Sequence, residues 1–186
     1  MSSCSWPGRN LTMQQYHDNE WCVPSHDDAY IFEMLTLEGA QSGLSWSIVL
    51  AKREGYQKAF QHFNIEYCSK LTDEELETIK EQYNIIKNRT KINAVRSNAL
   101  AVINIQKEFG SFSTFLWNYV DDHPVINSWV SEGQMPAQTP LSEQISKDLK
   151  KRGFKFVGPV IIYSFMQAIG MVDDHLRTCP YHSTNR

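Results

Sequence analysis

No stretch of this chain approaches the roughly 20 consecutive apolar residues that a membrane-spanning helix requires, and no charged-then-apolar leader opens it. The expectation is a cytoplasmic protein that does not engage a membrane. A strong net charge is also missing. Basic side chains number 18 against 21 acidic ones, giving a formal charge of −3, so no global basicity points to nucleic acid. Internal repeats and low-complexity segments are absent, and period-two alternation is scarce, which argues against a strand-built fold. Cysteine is sparse. Four cysteines without a secretory leader indicate reduced thiols or metal ligands more than a disulfide framework.

What is present suits one compact helical domain spanning residues 1–186, expected as a monomer. A 186-residue chain that is 41% hydrophobic can bury one sizeable core. Asp27 and Asp28 can cap a run through Ile31, Met34, Leu35 and Leu37 that ends near residues 39–43. Thr72 and Glu75 have capping-box spacing ahead of Leu76 and Ile79. Further helices are predicted over 91–109, 113–120, 141–151 and 159–168. Residues 121–140, with Pro124, Gly133, Pro136 and Pro140, read as a long connection. Ile126, Trp129 and Val130 are expected to pin part of it to the core.

Soft metal ligands sit at both ends of the chain: Cys4 and His17 at the start, His175 and Cys179 at the finish. Two thiolates and two imidazoles form a set that tetrahedral zinc accepts. The spacings, C-x12-H and H-x3-C, are not those of a zinc finger, so the pairs would have to meet across the fold. A closed four-ligand site leaves no position for a reactive water and would be structural. Spacing alone does not exclude unremarkable histidines with two thiols, or a Cys4–Cys179 disulfide.

Positive charge is local. Residues 87–96 carry Lys87, Arg89, Lys91 and Arg96 without an acid, and residues 147–155 hold five basic side chains against Asp148 alone. Such stripes can contact phosphates or simply solvate a helix face. The second stripe runs into Lys150-Lys151-Arg152-Gly153-Phe154-Lys155-Phe156-Val157-Gly158-Pro159. There a helix ends, a glycine-bounded turn follows, and Pro159 suits the first position of a new helix. The pattern is that of a helix-hairpin-helix, whose glycines and fresh helix N-terminus let the backbone approach a phosphate.

A third cluster comprises Tyr16, Glu38 and Trp46, with Trp6 and Trp21 nearby. A flipped nucleobase is read by aromatic stacking and edge hydrogen bonds, and a carboxylate among aromatics suits a cationic base. Each aromatic taken alone is better read as core than as part of a ligand box. Glu38 is the harder to dismiss, because a carboxylate on an apolar helix requires a partner.

Taken together these segments resemble the 3-methyladenine DNA glycosylase I (Tag) family over essentially the whole chain. The resemblance is carried by Cys4-Ser5-Trp6, Tyr16-His17-Asp18-Asn19-Glu20-Trp21, Leu37-Glu38-Gly39 and Ala40-Gln41-Ser42-Gly43-Leu44-Ser45-Trp46. It continues through the 150–158 turn, Tyr163-Ser164-Phe165-Met166-Gln167-Ala168, Asp174-His175 and Cys179-Pro180. The resemblance implies an all-α helix-hairpin-helix glycosylase fold and one structural zinc ion at Cys4, His17, His175 and Cys179. It also implies a base pocket of Glu38, Tyr16 and Trp46, with Trp6 and Trp21 close by. The implied activity is excision of 3-methyladenine from alkylated double-stranded DNA by base flipping, with the free base as product. Gln41, Gly43 and Leu44 would fill the gap in the helix, and Lys151, Arg152, Gly153, Lys155 and Gly158 would grip the backbone. Glu38 would recognise the base, act in the chemistry, or both.

Two departures matter. Cys22 stands where the family carries glycine, and Val160 occupies the place at which strand-cleaving relatives carry lysine, so no lyase activity is expected. Counting to the superfamily's usual aspartate lands on Thr178, with Asp173 and Asp174 near it. Two readings from other classes stand beside the glycosylase: a non-catalytic DNA-binding module, and a zinc hydrolase using His62, His123 or His182.

Overall fold

The computed structural model describes residues 4–185. The chain begins with α1 (Leu11–Asn19), capped by Asn10, whose side chain accepts from Met13 N. Next comes α2 (Asp28–Gln41), capped by Asp27 through Tyr30 N. Every residue from position 31 to 40 of α2 is buried, as expected of a helix enclosed on all sides. Short helices follow: α3 (Trp46–Leu50), α4 (Arg53–Ala59), α5 (Ile65–Lys70) and α6 (Asp73–Gln82). Thr72 and Glu75 form the reciprocal capping box of α6.

The long helix α7 (Arg89–Phe109) is stopped by Gly110, whose φ of 89° a side chain would oppose. After α8 (Phe112–Trp117), a 3₁₀ turn at Asn118–Val120 leads into the connection. Two helices close the chain: α9 (Pro140–Lys151), begun by Thr139 and Pro140, and α10 (Pro159–Ala168), begun by Pro159 after Gly158. Helix α2 is the hub, packing on α3, α7, α8 and α10. No helix among the described residues is long and apolar enough to cross a membrane.

Residues 121–139 are not a simple loop. Strand β1 (Val125–Ile126) pairs in parallel with β2 (Val172–Asp173), with Val125 opposite Val172 and Ile126 opposite Asp173. The expectation that Ile126 and Val130 bury themselves is overturned: they are 50% and 75% exposed. Backbone pairing and one indole replace that burial. Val125 N donates to Met171 O, Asn127 N to Asp173 O, and Trp129 Nε1 to Asp174 Oδ1.

Two backbone positions explain local sequence choices. Cys22 has a φ of 61°, a left-handed conformation that glycine adopts without the roughly 1–2 kcal/mol cost to other residues. Its N–H donates to Gln167 O, and its Sγ accepts from Asp174 N, fastening the residue to the C-terminal segment. In the turn between α9 and α10, Gly153 has φ of 89° and Phe156 φ of 56°. The turn is held from α7 by Asn98, whose Oδ1 accepts from Lys155 N at 2.8 Å while its Nδ2 donates to Lys155 O at 3.1 Å. A Cβ on Gly39 would lie 3.1 Å from Phe156 Cβ. The turn therefore rests directly on α2, one residue from Glu38.

Candidate active site

Glu38, Tyr16, Trp46, Trp6 and Trp21 line one cavity of about 290 Å³, together with Gln41, Glu132, Met135, Ser164 and Gln167. Tyr16 comes from α1, Glu38 from the buried stretch of α2, and Trp46 from the start of α3. The rings form a connected series. Centroids of Trp46 and Tyr16 lie 5.1 Å apart, Tyr16 and Trp6 6.4 Å, and Trp6 and Trp21 5.1 Å, mostly edge to face.

Three polar groups here are buried without being satisfied. Tyr16 OH, Trp46 Nε1 and Trp6 Nε1 have no hydrogen-bond partner among the described residues. Glu38 is 5% exposed, and burial lifts its carboxyl to a pKa of about 8, with no cation or donor among the described residues to oppose it. Burial, and then the nearby Glu38 charge, raise the Tyr16 phenol well above its ordinary value. Buried groups of this kind are rare unless a ligand completes them.

Sequence reasoning missed four wall residues. Ser164 and Gln167 are three apart on α10, a polar pair on an otherwise apolar helix, and that spacing was a readable signal. Glu132 and Met135 come from the connection and gave none. Glu132 accepts from Ser5 N, from Ser5 Oγ at 2.7 Å and from Trp6 N at 3.1 Å. Burial works against its charge, but the bonds from Ser5 and Trp6 prevail and hold its pKa below the usual value.

A second cleft of about 360 Å³ shares Glu38, Gln41 and Ser164 with the first and continues past Ser42, Gly43, Leu44, Val160 and Ile161. Leu44 is 38% exposed, and Gly43 has φ of 78°. The 41–44 loop is fixed by Lys91, whose Nζ donates to Ala40 O and Ser42 O. Lys91 thus anchors this loop, a use its place in a basic run did not suggest. Its neighbours are also engaged: Arg96 with Asp73 and Leu71 O, Arg89 with Glu77, and Lys87 with Glu81 O.

In the second basic run, Lys151 and Lys155 are exposed at the α9–α10 turn beside Gly153 and Gly158. Arg152 differs. Its guanidinium makes a two-pronged pair with Glu108, at 2.7 and 3.0 Å, and lies over the rings of Phe109 and Phe115.

Of the expected metal ligands, Cys4, His17 and Cys179 are buried, with ligand atoms within 4.8 Å of one another. His17 Nε2 faces Cys179 Sγ at 3.7 Å, while its Nδ1 is held by Asp18 at 2.6 Å. His175 falls outside that group. Its ring centroid is 4.8 Å from that of His17, and its Nδ1, 2.9 Å from Asp173 Oδ1, groups with Cys22 and Asp173. Cys4 and Cys179 are thiols, and burial pushes Cys4 up to about 12.

Asp173 and Asp174 do not line the cavity. Asp174 accepts from Asn127, Trp129, Tyr163 and Gln167, and Asp173 serves His175 and Ser183. Thr178 and Val160 are exposed. His182 is buried between Thr184 and Asn127 O. Among the described residues neither possible metal grouping includes His62, His123 or His182.

The methyladenine glycosylase family profile matches residues 6–182. DNA-3-methyladenine glycosylase 1 of Escherichia coli is 40% identical over 186 residues, covering all of both chains. A crystal structure of 3-methyladenine DNA glycosylase I superposes with a TM-score of 0.93 at 44% identity, covering 96% of this chain and 98% of the other. A tyrosine-to-phenylalanine variant of such an enzyme, in complex with 3-methyladenine, superposes with a TM-score of 0.95 at 35% identity, covering 98% of each chain. On this sequence match and this agreement of folds, the chain belongs to the methyladenine glycosylase family.

Proposed function

We propose that this protein hydrolyses the N-glycosyl bond of 3-methyladenine in alkylated double-stranded DNA, acting on a base turned out of the helix and leaving the strand uncut. The observation that carries this reading is the set of unsatisfied buried groups in the cavity. Tyr16 OH, Trp46 Nε1 and Trp6 Nε1 surround a carboxyl that nothing among the described residues neutralises. A flat cationic purine would stack on the aromatics and give Glu38 the positive partner it lacks.

Methylation at N3 places a positive charge on the base. When water attacks C1′ and the bond to N9 breaks, the bonding electrons return to the ring, which leaves as a neutral molecule while the water loses a proton. No strong general acid is needed. The protein's task is to select, orient and enclose the charged base, and Glu38 favours the cation over neutral adenine. None of the residues lining the cavity is a lysine, and strand cleavage through a Schiff base needs an amine nucleophile.

The α9–α10 pair acts as a helix-hairpin-helix that holds the DNA backbone at residues 151–158, with Lys151 and Lys155 facing phosphate. Gln41, Gly43 and Leu44 enter the space left by the base, from a loop that Lys91 holds rigid.

Cys4, His17, His175 and Cys179 would hold a zinc ion. The donor chemistry fits: burial keeps the Cys4 thiol from ionising, and a cation would reverse that. His17 and His175 each have the outer nitrogen fixed by a carboxylate, the arrangement usual around zinc. When bound, the metal supplies structural cross-linking of the two chain ends. The test of function is release of free 3-methyladenine from methylated duplex DNA, with the DNA backbone checked for breaks. Duplex binding without base release would leave only a DNA-binding module.

A further inference from the structure

We infer that Glu132 is a specificity-determining residue of the base pocket, at once the latch that holds Trp6 in the wall and a standing negative charge that favours a cationic purine. The inference rests on the glycosylase reading above. Glu132 lies on the connection, far in sequence from Glu38, Tyr16 and Trp46, yet it lines the same cavity as they do. Its place is fixed twice. Glu132–Gln134 form a 3₁₀ turn closed by reciprocal bonds between Ser131 and Gln134, and Gln134 Oε1 also accepts from Val130 N. From the other side, one carboxylate oxygen takes the N–H groups of Ser5 and Trp6 and the other takes Ser5 Oγ at 2.7 Å.

All of these partners donate to the carboxylate, so its ionised form is the one they complete. Glu38 differs, meeting no donor among the described residues. The pocket therefore holds two carboxyl groups with different duties. Glu132 keeps its charge whether or not a base is bound, whereas Glu38 needs the base to complete it. The half-buried position of Glu132 beside solvent limits the effect of its charge to a modest factor.

Two substitutions separate latch from charge. In Glu132→Gln the amide oxygen can still accept from Ser5 N and Trp6 N, and the amide nitrogen can donate to Ser5 Oγ, so the latch persists while the charge is lost. Glu132→Ala removes both. Single-turnover release of 3-methyladenine from methylated duplex, where the base is cationic, is expected to slow about fivefold in Glu132→Gln (roughly 1 kcal/mol). Binding of free adenine, a neutral purine, should stay unchanged in that variant. Glu132→Ala should lose more in both measurements. Release from Glu132→Gln at the wild-type rate would overturn the charge role, and Glu132→Ala matching Glu132→Gln throughout would overturn the latch. Wild-type protein that released no base would instead sink the glycosylase reading, before either variant is measured.

Discussion

Glu38 and Asp174 are both buried acids, 5% and 0% exposed, and Gln167 touches the surroundings of each. They are opposites in every other respect. Asp174 is met by four donors: Asn127 Nδ2 and Trp129 Nε1 on one oxygen, Tyr163 OH and Gln167 Nε2 on the other, all within 2.6–2.7 Å. Among the described residues Glu38 is met by none, and Tyr16 OH, Trp46 Nε1 and Trp6 Nε1 in the same cavity are likewise unpartnered. A carboxylate that the fold completes is a scaffold part, here binding the connection and α10 to the C-terminal segment. One that the fold leaves incomplete is reserved for a ligand. Gln167 links the two, because its amide nitrogen is committed to Asp174 while the residue lines the base cavity.

The buried thiols test this division most severely, since they have protein neighbours yet the proposed metal would complete them. Cys179→Ser is expected to lower bound zinc and melting temperature together, with a loss of several kcal/mol, because metal affinity and folding are one equilibrium at such a site. Zinc content and thermal unfolding of the same sample would decide. Unchanged stoichiometry removes Cys179 from the ligand set. Next in size is Asp174→Ala, which strands four donors and should cost about 3–5 kcal/mol in denaturant unfolding. Asp174→Asn should recover much of that. Its oxygen can serve Asn127 and Trp129, whose indole can only donate, while Tyr163 and Gln167 can turn to accept from its NH₂. A fully stable alanine variant would show that the four bonds do not hold the connection.

Glu38 should show the reverse pattern, losing function and gaining stability. Glu38→Gln removes the charge at nearly constant volume and is expected to slow release of 3-methyladenine about 100-fold. Burial raises the folded-state pKa from 4.5 to about 8. Between those values the unfolded chain has released a proton that the folded chain retains, so this group lowers stability progressively as pH rises from 4.5 to about 8. Below 4.5 it has no effect, and above 8 the penalty is constant. Glu38→Gln should therefore match wild type near pH 4 and exceed it at pH 8 by roughly 2–4 kcal/mol. Equal stability at both pH values would mean that Glu38 already has a partner in the folded protein.

Local chemistry made part of this architecture legible before any coordinates. The caps at Asp27 and Thr72, the start of α10 at Pro159 and the turn at Gly153 follow from residues a few positions apart, and the structure shows each of them. Aromatics and Glu38 scattered over residues 6–46 could be grouped only by chemistry and resemblance, and they surround one cavity. What stayed hidden depends on distant partners. Glu132 gave no signal because its bonds run to Ser5 and Trp6 near the start of the chain. Lys91 and Arg96 could be read as phosphate contacts or as a solvated helix face, because a charge run does not reveal the carbonyls and acids that occupy it. Val130 looked like an anchor, yet a two-residue strand pair and the Trp129 indole hold that segment.

The smallest expected effect applies the same contrast to single positive charges on the surface. Lys151 and Lys155 are exposed at the α9–α10 turn, and Lys151 has Asp148 at 3.5 Å as an ionic neighbour. Arg152, between them in sequence, is paired with Glu108 and stacked over Phe109 and Phe115. If the lysines face phosphate, each alanine replacement should lower duplex affinity about threefold at moderate salt and flatten the plot of log affinity against log salt by about 0.9. The loss should be similar across DNA sequences, because backbone contacts carry no base information. Arg152→Ala should leave that slope nearly intact and instead reduce stability by about 1 kcal/mol through lost ring contact and a lost two-pronged ion pair. Salt titrations of the three variants on one duplex make the comparison. A full slope in the lysine variants with a reduced one in Arg152→Ala would mean that Arg152 leaves Glu108 when DNA binds, so that a group satisfied in the free protein is the one that grips the backbone.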